Sequence, residues 1–279
     1  MSRQNRTGDA GVDMSIEERS SGSRRLVHRM AARLVRSRLR SELRARPGLQ
    51  GRALAPAGTF RRLPRTSALY FPFYHDVPPQ YAHQLRRHLE KFRSLGPFVS
   101  WDDALAILAG DRPLTAPHFC LSFDDGDRTW VDVAAPLLDS LRIPATFFVI
   151  SDRISQGDEL TWQDCRDLRG AGHSFGSHTR SHRRLADLDD ATATGEIRDS
   201  KAEIEDRLGV AVRDLAAPYG WPERDYTDRH VEMARAAGYR SFASTFRTSM
   251  QPGDSPMFVH RQGLHPAWPL RAVMTRVHE

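Results

Sequence analysis

The stretch HFCLSFDDGDRTWVDVAAPLLDSLRIPATFFVI, residues 118–150, alternates two textures. HFCLSF and PATFFVI are short apolar runs rich in aromatic and branched side chains. WVDVAAPLLDSLR between them repeats its apolar residues at helical spacing. Strand, crossover helix and strand make a parallel unit. The same alternation extends in both directions. Upstream, ALYFPFY (68–74) reads as a strand, YAHQLRRHLEKFRSLG (81–96) as a helix closed by Gly96, and WDDALAILAG (101–110) as a second helix. Downstream, helices across 162–172, 193–209 and 229–238 alternate with strands near HSFGS (173–177), VRDLAAP (212–218) and, last, RSFAST (240–245). The pattern predicts an α/β fold with parallel strands. Residues 67–279, 213 in all, suit one barrel-like domain, and no repeat of solenoid or propeller period is present.

The chain of 279 residues is 39% hydrophobic and 27% charged, a composition that excludes a wholly disordered or fibrous protein. No run reaches the ~18 apolar residues of a membrane-spanning helix, and the N-terminal stretch has no apolar signal-peptide core. The expected location is therefore cytoplasmic. Cys120 and Cys165 are too few for a disulfide framework or a four-cysteine zinc site and read as buried thiols. The net charge of +6 divides unevenly: residues 1–65 hold 16 arginines against five acidic residues, so the remainder is acidic. Residues 1–66 read as a basic, partly disordered arm with an amphipathic helix near 24–46, its arginines opposite an apolar face. Such a helix suits peripheral contact with an anionic membrane, here its inner face. Nucleic acid is not expected, because the arm has no aromatic residue among its arginines before Phe60.

Chemistry in a parallel barrel gathers at the C-terminal ends of the strands. HFCLSF ends in Asp124-Asp125-Gly126. Adjacent side chains leaving a strand diverge, so one carboxylate can bind a metal while its neighbour faces a substrate. Ser177-His178-Thr179-Arg180-Ser181-His182 follows another predicted strand, and histidines four apart share one face of a helical turn. One carboxylate and two imidazoles form the three-ligand, open site of a hydrolytic metal centre.

LSFDDG, IPATFFV, GHSFGSHTRSH and AAPYG, with FYHDV upstream, resemble in order the motifs of the polysaccharide deacetylase (NodB-homology, carbohydrate esterase four) family over roughly residues 70–265. The resemblance implies an irregular (β/α) barrel that hydrolyses an N-acetyl or similar acyl group on a sugar. It implies Asp125, His178 and His182 as ligands of one divalent ion such as Zn²⁺. Asp124 would be the general base, and the N–H of Tyr219, aimed by Pro218, the oxyanion donor. Many members carry an arginine where this chain has Ala216; a branch with alanine there points to Arg261 as the group orienting the base. The family's acid histidine matches His265 best, with His260 as competitor. His75, at the end of the first predicted strand, lines the groove or ties a loop. Trp130, Trp221 and Trp268 are candidates for stacking on a sugar. The implied partner is an N-acetylated polysaccharide, an oligosaccharide or a lipid-linked precursor. Two other readings stay open: an amidase or imidase acting on a small molecule with the same metal site, and a weakly active carbohydrate-binding scaffold protein.

Overall fold

The computed structural model describes residues 67–278. The predicted arm, its helix near 24–46 and its membrane contact lie outside the described residues. In chain order the elements are β1 (Leu69–Tyr70), β2 (Pro72–Tyr74), α1 (Ala82–Leu95), α2 (Trp101–Ala109), β3 (His118–Phe119) and β4 (Leu121–Asp125). Then follow α3 (Ala135–Leu141), β5 (Ala145–Val149), α4 (Trp162–Gly170), β6 (Ser174–Ser177), α5 (Asp190–Leu208) and β7 (Asp214–Ala216). The last are α6 (Asp228–Ala236), β8 (Ser241–Ser244), β9 (Val259–His260), β10 (Gln262–Gly263) and α7 (Leu270–His278). Local chemistry sets several of these boundaries. The Ser100 hydroxyl accepts the Asp103 N–H to start α2, and Gly110 ends it at φ 86°. Asp189 caps α5 through the Thr192 N–H, and Gly209 ends that helix at φ 63°.

Eight strands form one parallel sheet in the order β10-β2-β4-β5-β6-β7-β8-β9. Its two edges are consecutive in sequence. Val259 and His260 pair with Ala243 and Ser244, whereas Gln262 and Gly263 pair with Pro72 and Phe73. The five-residue segment 259–263 thus changes partner at Arg261 and closes a nearly complete barrel with helices around it. The Gln262 side chain strengthens the seam by accepting the Phe71 N–H at 3.0 Å and donating to the Thr248 carbonyl at 2.9 Å. Among the described residues, no helix is long and apolar enough to cross a membrane.

The strands alternate with period two. Leu121, Phe123, Phe147, Leu215 and Phe242 belong to the large outer core that meets the helices. Phe71, Phe148, Ala216, Ala243 and Val259 belong to a second core with Trp101 and Ile107 of α2. The Trp101 indole donates to the Ser241 hydroxyl at 3.0 Å, at the first residue of β8, so α2 stops the N-terminal end of the barrel. Asp124 and Asp125 stand at the other end. Phe148 fills the interior because Gly176 makes room: a Cβ there would lie 2.4 Å from the phenyl ring.

Three local expectations are corrected. ALYFPFY is two strands, since Phe71 interrupts it and β1 pairs with β3 in a separate two-stranded sheet. RSFAST is not the last strand. Segment 259–263, with His260, Arg261 and Gln262, lacks the apolar run that marks a strand. WVDVAAPLLDSLR enters its helix through a π turn, Trp130–Ala134. Cys120 and Cys165 are buried free thiols.

Candidate metal centre

Strand β4 carries two carboxylates to the barrel mouth and separates them. Ser122 and Asp124 fall on one face of the strand, Leu121 and Phe123 on the other. Asp125 takes φ 97°, followed by Gly126 at 122°. Only glycine adopts such backbone freely, so the strain at Asp125 marks a carboxylate turned for a purpose.

The histidines come from the loop after β6, and here the expected helical turn is absent. Residues 178–182 are irregular, with Thr179 at φ 63° and His182 at φ 62°. Side chains hold what a helix would have held. The Ser177 hydroxyl accepts the Thr179 N–H at 3.1 Å. Glu196 of α5 accepts the Arg180 N–H at 3.1 Å, the Ser181 N–H at 2.8 Å and the Ser181 hydroxyl at 2.5 Å. Glu196 escaped sequence reasoning, yet it left a signal. It lies in the buried stripe of α5 with Ala193, Ile197, Ser200 and Ile204, where a charge needs a partner.

Asp125 Oδ1 lies 3.5 Å from His178 Nε2 and 3.5 Å from His182 Nε2. Donors ~2.0–2.2 Å from a tetrahedral ion stand about 3.4 Å apart, so the spacing is that of a ligand set. Oδ1 is itself buried and has no hydrogen-bond partner among the described residues. An orphaned buried oxygen facing two imidazole nitrogens fits a cation. The tautomer also fits: His178 Nδ1–H donates to the Ala216 carbonyl at 2.8 Å, which leaves Nε2 with its lone pair. Burial pushes the His178 imidazole down to about 4, against the pull of Asp124 and Asp125. Burial and the charge of Arg153 lower His182. Both rings are neutral donors near pH 7.

Beside this set, Asp124 is 1% exposed and Arg261 is fully buried. They form a bidentate pair, Nη1 to Oδ1 and Nη2 to Oδ2, both at 2.7 Å. The guanidinium is fixed further by the Ser244 carbonyl at 3.3 Å from Nε and by the Phe73 and Phe148 rings, 4.3 and 5.3 Å from Cζ. Burial alone would raise the Asp124 carboxyl. Arg261, then His178 and His75, outweigh it and hold the group below the usual carboxylate range.

Residues 111–242 match the sequence profile of the polysaccharide deacetylase family. Over that stretch the chain is similar to the polysaccharide deacetylases. A peptidoglycan-N-acetylglucosamine deacetylase of Bacillus cereus is 24% identical over 168 residues, 58% of each chain. A chitin deacetylase of Pestalotiopsis sp. is 33% identical over 106 residues, 38% of this chain and 35% of that protein. The chain spans less than two thirds of the length of the curated relatives it matches. Among solved structures, IcaB from Ammonifex degensii superposes with a TM-score of 0.67 at 26% identity, covering 75% of this chain and 97% of that one. The Streptococcus pyogenes deacetylase PplD, in complex with acetate, has the same fold, with a TM-score of 0.67 at 20% identity over 76% of this chain and 99% of that one.

The remaining candidates divide into those at the mouth and those away from it. Tyr219 is at the mouth. Its ring centroid is 5.0 Å from that of His182, its backbone takes φ 59°, and among the described residues no main-chain carbonyl accepts its N–H. Pro218, the residue before it, is buried. His75 is exposed at the end of β2, and its charge bears on both Asp124 and His182. His265 packs edge-on against Tyr81 and accepts the Ala267 N–H through Nδ1. It touches no member of the cluster among the described residues. His260 is enclosed by Phe246 and Phe258, hydrogen-bonds Thr248, and is pushed down to about 4 by burial. Trp130 is no sugar platform: it is fully buried, and its indole donates to the His75 carbonyl at 2.7 Å. Trp268 packs half-buried on the outer core, and Trp221 lies beside Phe246.

Proposed function

We propose that this domain is a metal-dependent hydrolase that removes N-acetyl groups from amino sugars of a polysaccharide or its precursor. One divalent ion, Zn²⁺ by the donor set, is held by Asp125, His178 and His182. The reading rests on the buried, unpartnered Asp125 Oδ1 at 3.5 Å from both imidazole nitrogens, next to an anionic carboxylate held by a buried arginine. The relatives named for chitin and peptidoglycan N-acetylglucosamine support an acetylated amino sugar as substrate.

A bound divalent ion supplies Lewis-acid chemistry, lowering the pKa of water from 15.7 toward about 7. Asp124 is the base. It is ionised at neutral pH, and a carboxylate oxygen accepts the proton of the attacking water while Arg261 fixes the carboxylate plane. The low pKa makes Asp124 a weak base that is always ready, which suits a nucleophile acidified by other means. The Tyr219 N–H donates to the substrate carbonyl oxygen as negative charge develops there. The departing amine takes its proton from an imidazole on the same rim. His75 is favoured over His265, because it stands exposed at the end of β2, the strand paired with β4, whereas His265 packs against Tyr81. His260, pushed down to about 4 by burial, is neutral near pH 7 and carries no proton to give. The scaffold reading drew on the arginine missing at Ala216, the atypical terminal histidine and the basic arm, and Arg261 on Asp124 answers the first of these.

The test is acetate release from a chitin oligomer by the full chain loaded with Zn²⁺. The H178A/H182A double variant is expected to lose at least roughly a thousandfold in turnover, in line with loss of metal chemistry. Turnover that survives in the double variant sinks the reading, and tight oligomer binding without release by the loaded wild type favours a scaffold.

A further inference from the structure

Arg184 lies two residues beyond His182, outside the ligand set. Its guanidinium covers the Tyr219 ring at 5.0 Å from the centroid, and the same ring sits 5.0 Å from the His182 imidazole. Tyr219 is the large aromatic left substantially exposed, at 49%, so burial does not fix its side chain. Its backbone is strained at φ 59° and the turn continues through Gly220 at 71°. Thr245 secures the far half of that turn, accepting no choice of register: its hydroxyl donates to the Tyr219 carbonyl at 3.0 Å and its N–H to the Gly220 carbonyl at 2.8 Å. Toward the metal loop, the contacts that meet Tyr219 among the described residues are the two ring contacts.

Asp225 explains why Arg184 stays there. Its carboxylate is fully buried and forms an ion pair with Arg184, Oδ1 to Nε at 3.0 Å, a charge contact rather than an aligned hydrogen bond. Oδ2 accepts the Trp221 N–H at 2.9 Å, Arg224 donates to both oxygens, and the Asp225 carbonyl accepts the Ala186 N–H at 2.9 Å. The Asp225 N–H donates to the Trp221 carbonyl at 2.9 Å, so one residue grips the segment after His182 twice and the turn after Tyr219 twice. The contacts close a ring: His182, Tyr219, Arg184, Asp225, and back through both chain segments. A buried carboxylate with this many charged donors is costly to assemble unless the geometry it fixes matters.

We propose that Arg184, held by Asp225, is a positioning residue that sets the Tyr219 turn, and with it the Tyr219 N–H, relative to His182. This rests on the reading of that N–H as the oxyanion donor. Arg184 touches neither the reacting atoms nor the ligand oxygens and nitrogens. It acts through the tyrosine ring, by a planar cation over a π face that lysine does not reproduce in shape.

The test uses R184A, R184K, Y219A and the R184A/Y219A double variant of the Zn²⁺-loaded full chain. R184A is expected to lower kcat on a chitin oligomer roughly tenfold, short of the ~10²–10³ that follows outright removal of an oxyanion donor. KM and Zn²⁺ affinity by equilibrium dialysis should stay within about twofold, as expected when only transition-state contacts change. R184K should recover little. In the Y219A background R184A should cost nothing further, because its effect passes through the ring. Hydrogen exchange read by mass spectrometry gives a readout that needs no activity: R184A should speed exchange in residues 217–222 and leave 178–182 protected. Unchanged kcat and exchange in R184A, or additive losses in the double variant, overturn the proposal, as does a loss of Zn²⁺ affinity, which would make Arg184 part of the ligand loop. A wild type that deacetylates nothing while the exchange result holds would instead overturn the deacetylase reading and leave the clamp standing.

Discussion

The two sides of the barrel mouth are built by opposite means. On the metal side, residues 178–182 form an irregular loop with two left-handed non-glycine residues, and one carboxylate, Glu196, holds it by three hydrogen bonds. On the base side, segment 259–263 is extended and paired on both flanks, and Arg261 leaves it only at the point where it changes partner. A loop bends imidazoles toward a shared point at the expense of local strain. A seam in a closed sheet sends a long cation into the interior with no strain at all. The difference predicts different failures: the seam should couple catalysis to folding, and the loop should couple it to metal affinity.

Breaking the seam should have the largest effect. R261M leaves Asp124 buried without a counter-charge, a change that costs about 3–5 kcal/mol. Turnover should fall more than about a thousandfold, as expected when an essential base loses both its charge state and its orientation. Urea unfolding checks the fold and acetate release the chemistry. The double variant D124N/R261M separates the two: it should recover most of the stability, because no charge is left unpaired, and none of the turnover. A double variant as unstable as R261M would mean that Arg261 works by packing between Phe73 and Phe148 instead.

How much of this was legible in the sequence follows from where the information sits. Asp124, Asp125, His178 and His182 lie in short motifs, and period-two patterning placed both motifs at strand ends before any geometry was known. The spacing of the two histidines was informative, whereas its helical rationale was wrong. A loop with the right φ at Thr179 and His182 brings the same two rings together. Arg261 was reachable only by resemblance, since nothing local in FVHRQ shows that its neighbours pair with different strands. The split of ALYFPFY was invisible because every residue in it is apolar, and the break at Phe71 is imposed by pairing with β3 and with Gln262. Trp130 looked like a sugar platform because it follows a motif, but helix packing buries it. In each case the missing information is tertiary.

The comparison also bears on the acid. His75 follows β2 and His265 follows β10, neighbouring strands on the seam side, so both histidines reach the rim. H75A is expected to lower kcat by ~10²–10⁴, the usual worth of a positioned acid, while H265A stays within about tenfold. Steady-state kinetics on a chitin oligomer decide between them. The reverse order would return the role to His265 and require the Tyr81 side of the groove to hold the substrate.

The smallest expected effect is on the metal side, and it is the sharpest test of the contrast. Glu196 lies outside the ligand set and is nearly buried, at 7% exposure. It reaches the site through the N–H groups of Arg180 and Ser181 and the Ser181 hydroxyl. E196Q keeps the shape but loses the charge: the amide oxygen still accepts from both N–H groups and the amide N–H donates to the Ser181 hydroxyl, so the three charge-assisted contacts become weaker neutral ones. Groups that orient a ligand typically change metal affinity 10–100-fold when removed, and E196Q should weaken Zn²⁺ binding by about that much in competition with a chelator. Its unfolding free energy should fall by only about 1–2 kcal/mol, the difference between charged and neutral hydrogen bonds at this loop. At saturating Zn²⁺ its kcat should return to within severalfold of wild type, because the bound ion restores the loop that residue 196 then holds less tightly. R261M has no such rescue, since no added ligand supplies a guanidinium. If excess Zn²⁺ fails to rescue E196Q, the loop is doing more than presenting His178 and His182, and the division of the mouth into a metal side and a base side is too simple.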